Sequence, residues 1–147
     1  MKHPSIRQLF EYWTKRQGGV LPNQRDIEPN AIRGILADTF MLSFARSSPG
    51  RFCAAGTRVC ALMGRELKGT AFLDLWSSGS RADAAELLAI VNEESVGAVA
   101  SANARDVGEG DVTHAAMTVE MLLLPLADDG RTDARLLGAL VLGERSD

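Results

Sequence analysis

Two histidines, two cysteines and one glycine-bounded basic stretch are the residues of this chain whose types and spacing bear on chemistry. His114 and Glu120 lie in a segment of alternating polarity, which puts both side chains on one strand face. An imidazole and a carboxylate sharing a face form the most available acid–base pair, as a small enzyme would need. The pair does chemistry only if that face lines a cavity. His114 falls on the polar side of the alternation, where a histidine is more often a surface residue than a ligand. Cys53 and Cys60 are candidate redox thiols. Neither neighbours a histidine in sequence, and free cysteine usually packs as a small hydrophobe. In a reducing compartment free thiols outweigh a disulfide, and these cysteines and histidines do not match zinc-ligand spacing. Gly64-Arg65-Glu66-Leu67-Lys68-Gly69 lacks the Gly-Lys-Ser/Thr ending that cradles phosphate. There is no Gly-x-Ser-x-Gly elbow. The weight falls on a non-enzymatic role.

A second set of residues points to binding. Met41, Met63, Met117 and Met121, with Cys60, Phe72 and Trp76, can line an adaptable apolar pocket. Simple core packing accounts for the same residues. Ala98, Ala100, Ala102 and Ala104 share one strand face, which suits either a cavity or close helix packing on a sheet.

The bulk properties bound the class. The chain has 147 residues, 46% hydrophobic and 24% charged, enough for one compact domain with a core. Aromatics are only 5%, so aliphatic side chains must fill most of it. A net charge of −3 and a pI near 5.4 argue against a nucleic-acid partner, which would demand a basic face. Arginines are spread along the chain, leaving no polybasic patch for a membrane surface. No apolar run approaches the ~18 residues of a spanning helix. The N-terminus carries charges among its apolar residues and has no signal-peptide core, so a cytoplasmic location is expected by default.

The elements that must position these residues read off the periodicity. Ile6, Leu9, Phe10 and Trp13 form one helical stripe, begun by Pro4 and ended by Gly18-Gly19. Asp26 is placed as the N-cap of a second helix, with Pro29 in its first turn and its end near Leu36. Strands are expected over 39–45 and 51–55, joined by Ser47-Ser48-Pro49-Gly50. Thr57 caps a short helix that Gly64 stops. One helical turn follows at 71–76. Ser80 caps a longer helix with Ala84, Leu87, Leu88 and Val91 inward. Strands at 96–105, 113–126 and 135–142 close the chain, the last two joined by a turn carrying the Asp-Gly signal. In the 113–126 strand, Ala115, Met117, Val119, Met121 and Leu123 alternate against His114, Thr118 and Glu120. The Arg25-Asp26 pair and the Gly64-Arg65-Glu66 run are the candidates for a polar contact fixing the N-terminal extension to the core.

This order, two strands, a helical crossover and a three-strand meander, is similar to the PAS fold. The segment ALMGRELKGTAFLDLW, with a Gly-ended helix, a second Gly and a Phe-containing turn, resembles the usual PAS passage. His3-Pro4, Leu9 to Trp13, Pro22 to Pro29, Ala55-Gly56-Thr57, Cys60, Gly64 to Leu67 and Leu75-Trp76 resemble, in the same order, a bacterial family of PAS-like proteins of unknown function. The resemblance implies an α+β fold: a five-stranded antiparallel sheet with helices on one face (residues 38–147), plus an N-terminal helical extension (1–37). It implies a regulatory sensor or protein-interaction module that works through a partner protein or a homodimer and holds a small apolar ligand. Such extensions commonly make dimer contacts, which puts Ile6, Leu9, Phe10 and Trp13 forward as an interface. The same stripe can instead cover the chain's own sheet. A haem or flavin sensor is the alternative. Against it, Ser80–Ser95 has no axial histidine, and Cys60 lies in Arg-Val-Cys-Ala-Leu rather than the Asn-Cys-Arg-Phe of photoactive flavin domains. No cofactor is identified.

Overall fold

A computed structural model of the chain describes residues 3–17, 21–44, 50–103, 118–127 and 134–143. Three α-helices, α1 (Pro4–Gln17), α2 (Thr57–Met63) and α3 (Arg81–Glu94), accompany five strands, β1 (Thr39–Phe44), β2 (Arg51–Ala55), β3 (Ala98–Asn103), β4 (Thr118–Pro125) and β5 (Ala134–Gly143). The strands form one sheet in the order β2-β1-β5-β4-β3, and every neighbouring pair is antiparallel. The expected turns at Gly18-Gly19, 47–49 and 128–133, and the stretch with Ala104, Thr113, His114, Ala115 and Met117, lie outside the described residues.

Period-two side chains divide the core into two layers. On one face Phe40 and Leu42 of β1, Val119, Met121 and Leu123 of β4, and Leu136 and Leu140 of β5 meet α2, α3 and the segment between them. On the other, Leu122 and Leu124 of β4 and Leu137, Ala139 and Val141 of β5 meet Ile6, Leu9 and Trp13 of α1. The polar alternation expected along β4 is therefore incomplete. Residues Val119 to Pro125 are buried on both faces, because α1 covers the side that the alternation assigned to solvent. The continuous apolar runs Met121–Leu126 and Leu136–Leu142 are the trace of this double coverage in sequence.

Local chemistry sets the element ends. Gly64 caps α2 in the left-handed region at φ 75°, its amide donating to Ala61 and Cys60 carbonyls. Gly56, not Thr57, occupies the N-cap of α2. A Cβ there would lie 2.3 Å from the Ala37 carbonyl oxygen, so only glycine lets the two backbones meet. Ser80 precedes α3 but makes no capping hydrogen bond through its side chain. Ala84, Leu88 and Val91 face inward as expected, with Leu87 half-buried. In β2, Met41 pairs with Ala54 while Leu42 pairs with Phe52, leaving Cys53 as an extra, bulged residue. The bulge lets both Phe52 and Ala55 reach the same core layer.

The helix expected from Asp26 to Leu36 does not form. Asn23 is the N-cap, accepting the Arg25 and Asp26 amides on Oδ1 at 2.8 and 3.2 Å, while the Asp26 carboxylate accepts the Asn23 amide at 2.9 Å. This reciprocal capping box closes a single 3₁₀ turn, Gln24–Asp26. Two more follow, Pro29–Ile32 and Leu36–Asp38. Pro29 and Gly34 interrupt the segment, and Ile32 and Ile35 are the residues it buries fully. Ala31, Ile32, Ile35 and Leu36 recur at helical spacing, but between Pro29 and Asp38 and with Gly34 among them the stripe is too short to hold a regular helix.

Four buried aromatic rings occupy the inner layer, with Phe44 half-buried at its edge. Phe40 packs edge-on to Phe52 at 5.4 Å and stacks on Phe72 at 6.1 Å, and Phe72 lies 5.9 Å from Trp76. Phe40 sits directly across from Gly138 on β5, and its ring occupies the space a side chain there would take: a Cβ would fall 2.3 Å from Phe40 Cζ. Gly138→Ala is therefore expected to destabilise the chain by about 1–3 kcal/mol through overpacking. Phe40→Leu in the same chain should recover part of that loss. Urea unfolding of the two single variants and the double variant checks this, and strictly additive losses would contradict it.

Candidate functional site

The inner layer brings together most of the residues that sequence put forward as a pocket. Gly69, at φ 88°, turns the chain into the 3₁₀ segment Phe72–Leu75, which delivers Phe72 and Trp76 beneath the sheet. Met63 comes from α2 and Met121 from β4, and both are buried against the same cluster. Cys60 packs at its margin, with its thiol 3.6 Å from Glu66 Oε1. Met41 does not join them. It lies on the opposite sheet face, in the α1 layer, because it alternates with Phe40 and Leu42 along β1. Met117 lies outside the described residues. Trp76 is only 7% exposed, and its indole N–H has no acceptor among the described residues. A buried donor left unpaired costs about 1–3 kcal/mol, so this position is poised for an oxygen or nitrogen acceptor.

The outer layer uses the other predicted set. Ile6, Leu9 and Trp13 are buried on the chain's own sheet, and Phe10 is half-buried beside Trp13 at 6.3 Å. The stripe put forward as a dimer interface is thus occupied by intrachain packing. Trp13 also donates its indole N–H to the Pro125 carbonyl at 3.0 Å, pinning α1 to the end of β4. The connection after α1 is tied to the same strand end, where the Ala127 amide donates to the Pro22 carbonyl at 2.8 Å. Tyr12 joins helix to connection: its hydroxyl donates to the Asp26 carbonyl at 3.3 Å and accepts the Glu28 amide at 2.9 Å. Between this connection and the β1–β2 end of the sheet lies an apolar groove of about 610 Å³.

A polar cluster closes the other end of α1. The Asp38 carboxylate, 6% exposed, accepts the Ser5 hydroxyl at 2.9 Å and the Arg58 guanidinium at 2.8 and 3.2 Å. Burial pushes the Asp38 carboxyl up, but the hydrogen bonds from Arg58 and Ser5 and the charges of Arg58 and His3 together bring it below its ordinary value. The Asp38 hydrogen bond raises the already basic Arg58. His3 Nδ1 accepts the Ser5 amide at 3.1 Å, and Glu120 Oε1 accepts the His3 amide at 3.1 Å. Both therefore satisfy donors at the helix N-terminus, where negative charge is favoured.

Serine, histidine and aspartate meet here, yet their geometry is not that of nucleophilic catalysis. The Ser5 hydroxyl donates to the carboxylate rather than to an imidazole, and that carboxylate is bound to an arginine, which weakens it as a base. Glu120 is 8% exposed and spent on the α1 terminus, while its proposed partner His114 lies outside the described residues. Asp38, Ser5 and Arg58 were not among the residues expected to hold the extension. Arg25-Asp26 was, and Asp26 instead closes its own turn. The available signal was a lone carboxylate, Asp38, set among apolar residues immediately before a strand. No group of three or more His, Cys, Asp or Glu residues among the described residues can hold a metal ion. No helix among them is long and apolar enough to cross a membrane.

Comparison with known proteins agrees with this architecture. The family model PAS_5, a PAS domain, matches residues 1–141 and so takes in α1 and the connection as well as the sheet. Among solved structures, the PAS domain of BvgS from Bordetella pertussis is similar in fold, with a TM-score of 0.52 at 10% identity, over 80% of this chain and 86% of that one. No curated protein matches the chain. With the sheet order, the helical crossover and a family match across nearly its whole length, the chain belongs to the PAS_5 family of PAS domains.

Proposed function

We propose that the chain is a non-enzymatic regulatory module, which holds a small apolar ligand in its inner layer and passes the bound state to a partner protein or a second copy. Membership of a PAS family supports a sensory or regulatory role in general. The observation that carries the ligand is Trp76: a buried indole N–H without an acceptor among the described residues, walled by Phe72, Met63 and Met121 with Cys60 at the edge. A mostly apolar molecule bearing one acceptor oxygen would satisfy it. The module is assigned to the cytoplasm, where its two free thiols would stay reduced.

Output through the N-terminal extension follows from how the layers are joined. Val119, Met121 and Leu123 of β4 face the ligand layer, and Leu122 and Leu124 between them face α1. A shift of β4 that favours the bound state therefore also changes the seat of α1, which is a population shift rather than a separate signal path. Because the Ile6-Leu9-Trp13 stripe is buried, the surface offered to a partner is the outward side of α1, with Arg7, Glu11 and Lys15 exposed.

Native mass spectrometry of the purified chain is expected to show a retained small molecule or a stoichiometric complex. Trp76→Phe should weaken ligand retention about tenfold, the worth of one lost hydrogen bond. Reversing Arg7 and Lys15 to glutamate should weaken the complex while leaving the melting temperature unchanged. A chain that stays monomeric and ligand-free, and crosslinks to no stoichiometric partner in its own cells, would overturn the proposal.

The seat of α1 has a pH signature. Asp38 titrates below its ordinary 3.8, so its contribution is fully present above that pH and is lost as pH falls through the lowered folded-state value. Asp38→Asn should lower the urea midpoint at neutral pH, and its gap to the parent chain should shrink below 3.8. An equal gap at neutral pH and at about pH 2.5 would contradict the assignment.

A further inference from the structure

We infer that the outer-layer groove is a second ligand site, and that its ligand is a monocarboxylate with an unbranched aliphatic chain. The site is distinct from the Trp76 wall: Trp76, Phe72, Met63 and Met121 do not line it, although Phe40 and Ala55 of the inner layer do. Its floor is Met41 of β1, Ala54 directly opposite it on β2, and Leu137 of β5. Its walls are Ile27, Ile32 and Leu36 from the 3₁₀ connection. The volume, about 610 Å³, falls within the roughly 300–1,000 Å³ of small-molecule sites.

Two features point to the class of ligand. Leu36 is 40% exposed at the rim, a large apolar side chain that folding alone leaves uncovered. Arg33 lines the same groove, and its guanidinium has no acidic partner among the described residues. The nearby acids are already engaged: Glu28 lies 3.8 Å from Arg16, and Asp26 caps its own turn. An apolar trough whose lining guanidinium has no acidic partner among the described residues matches an aliphatic tail and a single anionic head. The groove exists because the connection forms short 3₁₀ turns. A regular helix there would carry a continuous stripe and press it onto β1.

Isothermal titration of the full chain with decanoate, octanoate and decanol tests the assignment. Decanoate is expected to bind, and to bind more tightly than octanoate by roughly fifteenfold, about fourfold for each methylene. Arg33→Gln should weaken decanoate about tenfold and leave decanol unchanged. Ala54→Phe, a substitution at an exposed edge-strand position, should abolish both while the melting temperature holds. Trp76→Phe should leave decanoate affinity unchanged, so this inference and the inner-layer reading fail separately. Equal binding of decanoate and decanol would overturn the head-group assignment. Loss of decanoate binding in Trp76→Phe but not in Arg33→Gln would place the molecule in the inner layer and overturn the site. Absent binding with self-association that Ala54→Phe abolishes would give the groove to a second copy and overturn the ligand.

Discussion

The structure depends on the seating of α1 across β4 and β5. These two strands carry apolar side chains on both faces, and a sheet with two apolar faces is stable only when each is covered. One face is covered by α2, α3 and the turn between them. The other would expose Leu122, Leu124, Leu137, Ala139 and Val141 if α1 were absent. Burying Ile6, Leu9 and Trp13 there contributes about 1.5–3 kcal/mol for each large side chain. The polar contacts at the two ends of the helix add less energy than this, but they add direction. Trp13 to Pro125 fixes one end, and Ser5 with Arg58 to Asp38 fixes the other. The extension is therefore a structural layer of the domain. The family match from residue 1 agrees with that reading.

The two layers differ in character. The inner one is specified by shape: a glycine on β5 receives the Phe40 ring, and three further aromatic rings pack around it. Aromatics are scarce in this chain, and their concentration at one place makes that layer the most sharply defined part of the core. Its unpaired donor, Trp76 Nε1, is one of two buried side-chain donors without an acceptor among the described residues, the other being Arg135 Nε on β5. The outer layer is specified by helix docking and a series of tight turns. Those turns leave an open groove where a regular helix would have closed the surface.

Much of this was legible in the residues. The Ile6-Leu9-Phe10-Trp13 periodicity marked α1, Gly64 marked the end of α2, and the turn–helix–strand order after it marked the fold. These signals are local: periodicity, glycine in the left-handed region and caps act over one or two turns of chain. The connection at 24–38 was misread because proline and acidic residues suit both a helix start and a chain of 3₁₀ turns, and packing decides between them. Glu120 was placed on a polar face beside His114 because strict alternation describes a strand with one polar side.

By itself the sequence determined the fold class, the first helix and the order of the strands, since these rest on short-range pattern and composition. Only the tertiary structure decided which face α1 covers, that Met41 parts company with Met63, Phe72, Trp76 and Met121, and that Asp38 gathers Ser5 and Arg58. The reason is distance along the chain. Ser5 and Asp38 are 33 residues apart and Trp13 and Pro125 are 112 apart. No spacing rule reaches across such gaps. Burial of both sheet faces brings these residues together, and that burial is a property of the folded whole.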